Sequence, residues 1–185
     1  IYDLILFGVV RTPSLIEIGV AEADRLAVGN ALQAWQMGGM LVGGILWGIL
    51  GDKRGRLSVL FGSILLYSLA NIANGFVADV ETYKWLRFIA GVGLAGELGA
   101  GITLATELLD AKQRGWATTL IAGIGICGAI LAVAVGSTTH WRTAYWIGGA
   151  MGLFLLALRV GVAESGIFQR TAEPTVSRGN FLALF

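Results

Sequence analysis

The sequence predicts an all-α membrane protein, a bundle of six transmembrane helices, and three observations carry that prediction. Of the 185 residues, 56% are hydrophobic and only 14% are charged, against about a quarter charged in an ordinary soluble domain. Mean hydropathy is +0.75. The charges are also clustered, which leaves apolar runs of the ~20 residues a helix needs to cross a bilayer. A chain of this length has too little polar sequence to coat so much core in water. The runs are continuous instead of alternating, which argues against a β-barrel.

Each span follows from where the charges fall. None lies between Arg25 and Asp52, between Arg56 and Asp79, or between Arg114 and His140, which predicts spans at about 26–51, 57–78 and 115–138. A span at about 85–109 is interrupted by Arg87 near its start and Glu97 in its middle, and another covers about 142–162. The first, about 4–20, is short and contains Arg11 and Pro13. Residues 1–162 thus form the bundle, and 163–185, with Glu173, Pro174, Ser177, Arg178 and Gly179, read as a cytoplasmic linker.

Lys and Arg in short loops set orientation. Lys53, Arg54, Arg56, Lys112, Arg114, Arg159, Arg170 and Arg178 fall on one side; Arg25, Lys84, Arg87 and Arg142 fall on the other. That asymmetry predicts a multi-pass protein with the loops after spans two and four, and both termini, in the cytoplasm. Trp85, Trp141, Tyr145 and Trp146 then cluster at outer helix ends, where an aromatic belt is expected.

Several function classes drop out. A net charge of +1 offers no basic surface for nucleic acid. Cys127 stands alone, and His140 has no Cys, Asp or second His at ligand spacing, so neither a metal nor another cofactor is expected. No serine lies in an activated-nucleophile motif, so no catalytic residue is assigned and an enzyme is not expected. Gly91, Gly93, Gly96 and Gly123, Gly125, Gly128 match a dinucleotide fingerprint by letter. They lie midway along apolar runs, where that site needs a turn between strand and helix. Close helix packing is the better reading, and the i, i+4 pairs Gly39–Gly43, Gly44–Gly48 and Gly148–Gly152 fit it.

Between spans two and three the order is Gly48-Ile-Leu-Gly-Asp52-Lys53-Arg54-Gly55-Arg56. It resembles the signature between helices two and three of the major facilitator superfamily. Arg87 with Gly91, Gly93 and Gly96 is similar to that family's fourth-helix pattern, and Glu107 through Arg114-Gly115 to its following loop. Trp141-Arg142 and Glu164-Ser165 are similar to what many members show. Leu57 replaces a second basic residue, and prolines common near the Glu107 and Glu164 positions are absent. The resemblance implies the amino-terminal six-helix half of a twelve-helix fold, built from two inverted three-helix repeats, with a second six-helix half as partner. It also implies a conformational latch: Asp52 facing a helix end of the other half, and Arg56 pairing with Glu107 or Asp110.

Ionisable residues at membrane depth are functional candidates by default. Asp3, Arg11 and Glu97 qualify. Glu97 shares a small-residue face with Ala90, Gly93, Ala100 and Gly101, and reads either as a proton carrier or substrate contact, or as a structural partner of Arg11 or Arg87. Arg11 precedes Pro13, which removes a backbone donor; it lines a cavity and favours an anion, or it snorkels at an interface. Asn30, Gln33 and Gln36 form a polar stripe on span two, and Asn71 and Asn74 sit near the end of span three; substrate contact and helix-to-helix bonding are the two uses open to them. The expected function is a proton-coupled symporter moving a small-molecule substrate, an organic anion such as a carboxylate, across the lipid bilayer by alternating access. The proton and substrate site is Arg11, Glu97, Asp3 and Gln33, with Arg87 a structural residue of the outer fourth helix. A transporter of a neutral solute such as a sugar, or a non-transporting scaffold bundle, is the alternative.

Overall fold

A computed structural model describes residues 1–108 and 111–164, with side chains described except at 98, 100–108, 111–114, 117–118 and 161–164. Six helices account for these residues: α1 (Tyr2–Glu17), α2 (Glu22–Arg54), α3 (Arg56–Asn74), α4 (Val80–Leu108), α5 (Ala111–Thr138) and α6 (Trp141–Glu164). The expected linker lies largely outside them, and so does Asp110.

Helix ends differ from the charge-delimited segments for local reasons. α2 starts at Glu22, not near 26, because Glu22 and Asp24 in its first turn complement the helix dipole, as Lys53 and Arg54 do in its last. Asp79 caps α4, accepting from Thr82 N at 2.8 Å and from Thr82 Oγ1 at 2.8 Å. Those hydrogen bonds hold its carboxyl below the usual range, the one to the Thr82 backbone N–H most of all. Only Gly55 separates α2 from α3, at φ 86°, ψ 151°. A side chain would be strained in that conformation.

Among the described residues α2, α3, Thr119–Thr138 of α5 and Trp141–Val160 of α6 are long and apolar enough to cross a membrane. α1 has only 16 residues. α4 carries Glu81, Lys84, Arg87, Glu97 and Glu107. α1 continues through Pro13 without ending there.

α4 packs on α2 and α3, α3 on α6, and α1 on α5 and α6. Glycines make these approaches possible. A Cβ on Gly39 or Gly43 would strike the backbone of Phe88 or Val92 on α4, and one on Gly91 would strike the backbone of Gln36 on α2. Gly93 lies against Tyr67, Gly149 against Ile72, and Gly152 against Ser68. Such contacts are those expected where helices lack a hydrophobic drive to associate. Gly44 and Gly48 depart from the expectation, because nothing lies within 4 Å of where their Cβ would be. With Trp47, Arg56, Ala95 and Gly96 they line a cavity of about 120 Å³.

The outer faces are apolar. Leu41, Ile45 and Leu46 of α2, and Ile124, Ile126 and Ile130 of α5, are exposed, while Leu6, Val10, Leu32, Ile64 and Tyr83 are sealed inside.

Candidate functional site

Two polar assemblies and one isolated cation stand out, and the first lies at the centre of the bundle. Arg87 of α4 and Asp3 of α1 form an ion pair, Nη2 to Oδ1, at 3.2 Å, with both side chains 0% exposed. α2 contributes Gln36, whose Nε2 donates to Asp3 Oδ2 at 2.8 Å. α3 contributes Asn71, whose Oδ1 accepts from Arg87 Nη2 at 2.9 Å. The guanidinium also lies over the rings of Phe7, at 5.5 Å, and Tyr145, at 5.0 Å. Four helices and two aromatic faces thus converge on one cation.

Desolvation explains why the assembly is so complete. A buried charge is tolerated only when it is paired and its remaining hydrogen-bonding capacity is largely met. Even here Arg87 Nε and Asn71 Nδ2 are buried without a partner among the described residues. Beside the pair, Tyr83 and Tyr145 share a hydroxyl hydrogen bond at 2.6 Å, and Ser14 Oγ lies 3.5 Å from the Tyr83 hydroxyl.

A second assembly joins the ends of α1, α3 and α6. Glu17 accepts from Trp141 Nε1 at 2.6 Å and from Arg142 Nε at 3.0 Å, and His140 Nε2 lies 2.9 Å from it. Arg142 Nη1 donates to the Gly75 carbonyl at 3.0 Å. The α1–α2, α3–α4 and α5–α6 connections therefore lie at one end of the bundle. His140 belongs to this junction. Trp141 and Tyr145 are buried core residues instead of belt residues, whereas Trp85 and Trp146 are exposed.

Arg11 is the isolated cation. Its Nη1 donates to Asn30 Oδ1 at 3.2 Å, and no carboxylate among the described residues pairs with it. Gln33 is exposed on the same helix as Asn30. Glu97 is half-buried on α4, and among the described residues neither Arg11 nor Arg87 is its partner; Arg87 is taken by Asp3 and Arg11 by Asn30. Asp3 and Gln36 meet Arg87 directly across the bundle. In the α2–α3 turn Arg56 Nη2 approaches Asp52 Oδ1 at 3.9 Å, with both side chains partly exposed. The expected partners Glu107 and Asp110 lie outside the described side chains.

The residues that sequence reasoning separated are the ones the fold unites. Asp3 was expected at a proton site, Arg87 in a structural role, and Gln36 and Asn71 in polar stripes of open purpose. The signal was charge compensation: an acid and a base of opposite sign, each alone in an apolar stretch, need one another. Among the described residues no group of His, Cys, Asp and Glu gathers to hold a metal ion.

Apolar outer faces, glycine-mediated helix contacts and a sealed ionic network define a multi-pass integral membrane protein. The chain belongs to the Major Facilitator Superfamily, whose family model matches residues 13–179. It is 34% identical over 158 residues to the 3-(3-hydroxy-phenyl)propionate transporter of Escherichia coli, covering 81% of this chain and 39% of that protein. It is 30% identical over 162 residues to a gentisate transporter of Corynebacterium glutamicum, covering 85% of this chain and 34% of the relative. A niacin transporter of Acinetobacter baylyi is 33% identical over 131 residues, covering 69% of this chain and 30% of its own length. The chain thus spans less than half the length of these relatives.

Proposed function

We propose that the chain forms part of a secondary active transporter that moves a small aromatic carboxylate by alternating access, coupled to protons. The observation that carries this reading is the fully buried Asp3–Arg87 pair, with one member on α1 and the other on α4. A proton taken by Asp3 removes the charge that holds Arg87, so protonation and separation of α1 from α4 become one event. An element with two such arrangements is what a carrier needs to bias its states. Glu97, half-buried and without a described cation, is a second carboxylate able to carry a proton. Arg11, whose one described side-chain partner is the neutral Asn30, is a cation available to the substrate. The aromatic carboxylate class is supported by relatives named for hydroxyphenylpropionate, gentisate and niacin.

Helix adjacency supports the inverted-repeat reading. Exchanging α1 with α4, α2 with α5 and α3 with α6 turns the α2–α4 contact into α5–α1 and the α3–α4 contact into α6–α1, and leaves α3–α6 unchanged; all of these contacts occur. The exposed Lys53 and Arg54 support a cytoplasmic α2–α3 turn. There Asp52 and Arg56 act as a latch toward the second six-helix half.

The test is uptake of radiolabelled gentisate, nicotinate and glucose by cells expressing the complete reading frame, with and without a protonophore. Accumulation of a carboxylate, lost when the proton gradient is collapsed, is expected. Uptake of glucose without either carboxylate would refute the substrate class, and carboxylate accumulation indifferent to the protonophore would refute the coupling.

A further inference from the structure

Arg87 and Arg11, both within the apolar part of the bundle, are held in opposite ways. Arg87 is 0% exposed, neutralised by Asp3 and enclosed by amides and rings. Its charge is spent inside the protein. Arg11 is partly exposed and its one described side-chain partner, Asn30, is neutral.

The sequence around that partner is shaped to this purpose. Gly29 is buried against the Arg11 stem: a Cβ there would come 2.6 Å from Arg11 Cδ and 3.1 Å from Cγ and Nε. The aliphatic stem therefore lies flat on α2, and Asn30 holds one edge of the guanidinium. The other N–H groups of Arg11 have no partner among the described residues. Gln33, one turn further along α2, is exposed beside this strip. Arg11 lies six residues before Glu17, about 9 Å along the helix from the junction of the three connections. A carboxylate at position 30 would satisfy the same hydrogen bond and cancel the charge, so the neutrality of Asn30 decides whether Arg11 keeps its attraction for an anion.

We propose that Gly29 and Asn30 are the positioning residues of the substrate-anion site. Gly29 lets Arg11 lie against α2, and Asn30 orients its guanidinium without neutralising it, which makes the site select anionic solutes such as a carboxylate over neutral ones. The proposal rests on the reading of the chain as a carboxylate transporter.

Three variants in the complete protein, reconstituted in phosphatidylcholine vesicles, test it with gentisate as substrate and its neutral amide, gentisamide, as competitor. Asn30→Asp should raise the KM for gentisate at least about ten-fold, Asn30→Ala should raise it only a few-fold, and Gly29→Ala should fall between, with kcat less affected in all three. Inhibition by gentisamide should be unchanged or stronger in Asn30→Asp. A purely structural Asn30 gives the reverse order, because Asp is nearly isosteric and keeps the bond to Arg11. The inference is overturned if Asn30→Asp is tolerated better than Asn30→Ala, or if gentisate and gentisamide lose affinity in parallel. It is overturned too if the expected order needs added phosphatidylglycerol, which would assign Arg11 to a lipid phosphate. Wild-type protein that fails to transport gentisate contradicts the parent reading, whereas wild-type transport with an indifferent Asn30→Asp contradicts this one alone.

Discussion

Removing one member of the Asp3–Arg87 pair should destabilise the protein more than removing both charges. At 3.2 Å separation the attraction is about 5 kcal/mol at an effective dielectric of about 20. Against it stands the desolvation of two ions, several kcal/mol each in a protein interior. The intact pair is therefore near balance, but a lone survivor is not. Asp3→Asn leaves Arg87 as an uncompensated cation with 0% exposure, a loss of about 3–5 kcal/mol. Arg87→Gln leaves Asp3 with only the Gln36 amide, at 2.8 Å, and should cost a similar amount. In the double variant D3N/R87Q all four central side chains are amides able to bond one another, so the loss should be smaller than for either single change. The assay is a double-mutant cycle on the complete protein in detergent, reading unfolding midpoints by intrinsic tryptophan fluorescence. A coupling energy of about 3 kcal/mol is expected. Additive losses, or an Asp3→Asn protein as stable as the parent, would refute the reasoning.

Three further outcomes follow from the same contacts. Gly91→Ala drives a Cβ into the Gln36 backbone, so α2 and α4 must separate; a loss of about 1–3 kcal/mol should appear as a lowered midpoint in the same unfolding assay. Asp52→Asn removes a partly exposed pair at 3.9 Å and should change stability by less than about 1 kcal/mol, while substrate turnover in vesicles falls severalfold; unchanged turnover would count against the latch. The Asp79 cap works through a depressed carboxyl, so its stabilisation is present above the ordinary carboxylate range and fades as pH falls through it. Amide exchange at Thr82, corrected for intrinsic rates, should lose protection below about pH 4, and Asp79→Ser should lose that pH dependence while keeping a cap.

Fold and site were legible to different depths. Six helical segments could be read because a helix in a bilayer excludes charge, and the gaps between Arg25 and Asp52 or between Arg114 and His140 record that exclusion directly. Helix ends were harder to place, since Glu22 and Asp79 are charged yet help start helices, through the dipole and through capping. Glycine pairs suggested packing, but spacing alone did not separate Gly39 and Gly43, against α4, from Gly44 and Gly48, which face a cavity. Trp141 and Tyr145 look like belt residues by composition and position, yet their faces of α6 turn inward toward Tyr83 and Arg87. Asp3 and Arg87 lie 84 positions apart, and no local period connects them. Only the three-dimensional convergence of α1, α2, α3 and α4 shows that the four polar residues form one group.

The proposed coupling of solute movement to protons through Asp3 is tested most directly in vesicles. Gentisate uptake is measured in vesicles with an imposed proton gradient, and again as exchange at uniform pH, for wild-type, Asp3→Asn and Glu97→Gln proteins. The account predicts that Asp3→Asn still exchanges gentisate but no longer accumulates it against its gradient, while wild type does both. Uphill accumulation by Asp3→Asn at the wild-type level would contradict it, and loss of accumulation in Glu97→Gln alone would move the coupling to the carboxylate on α4.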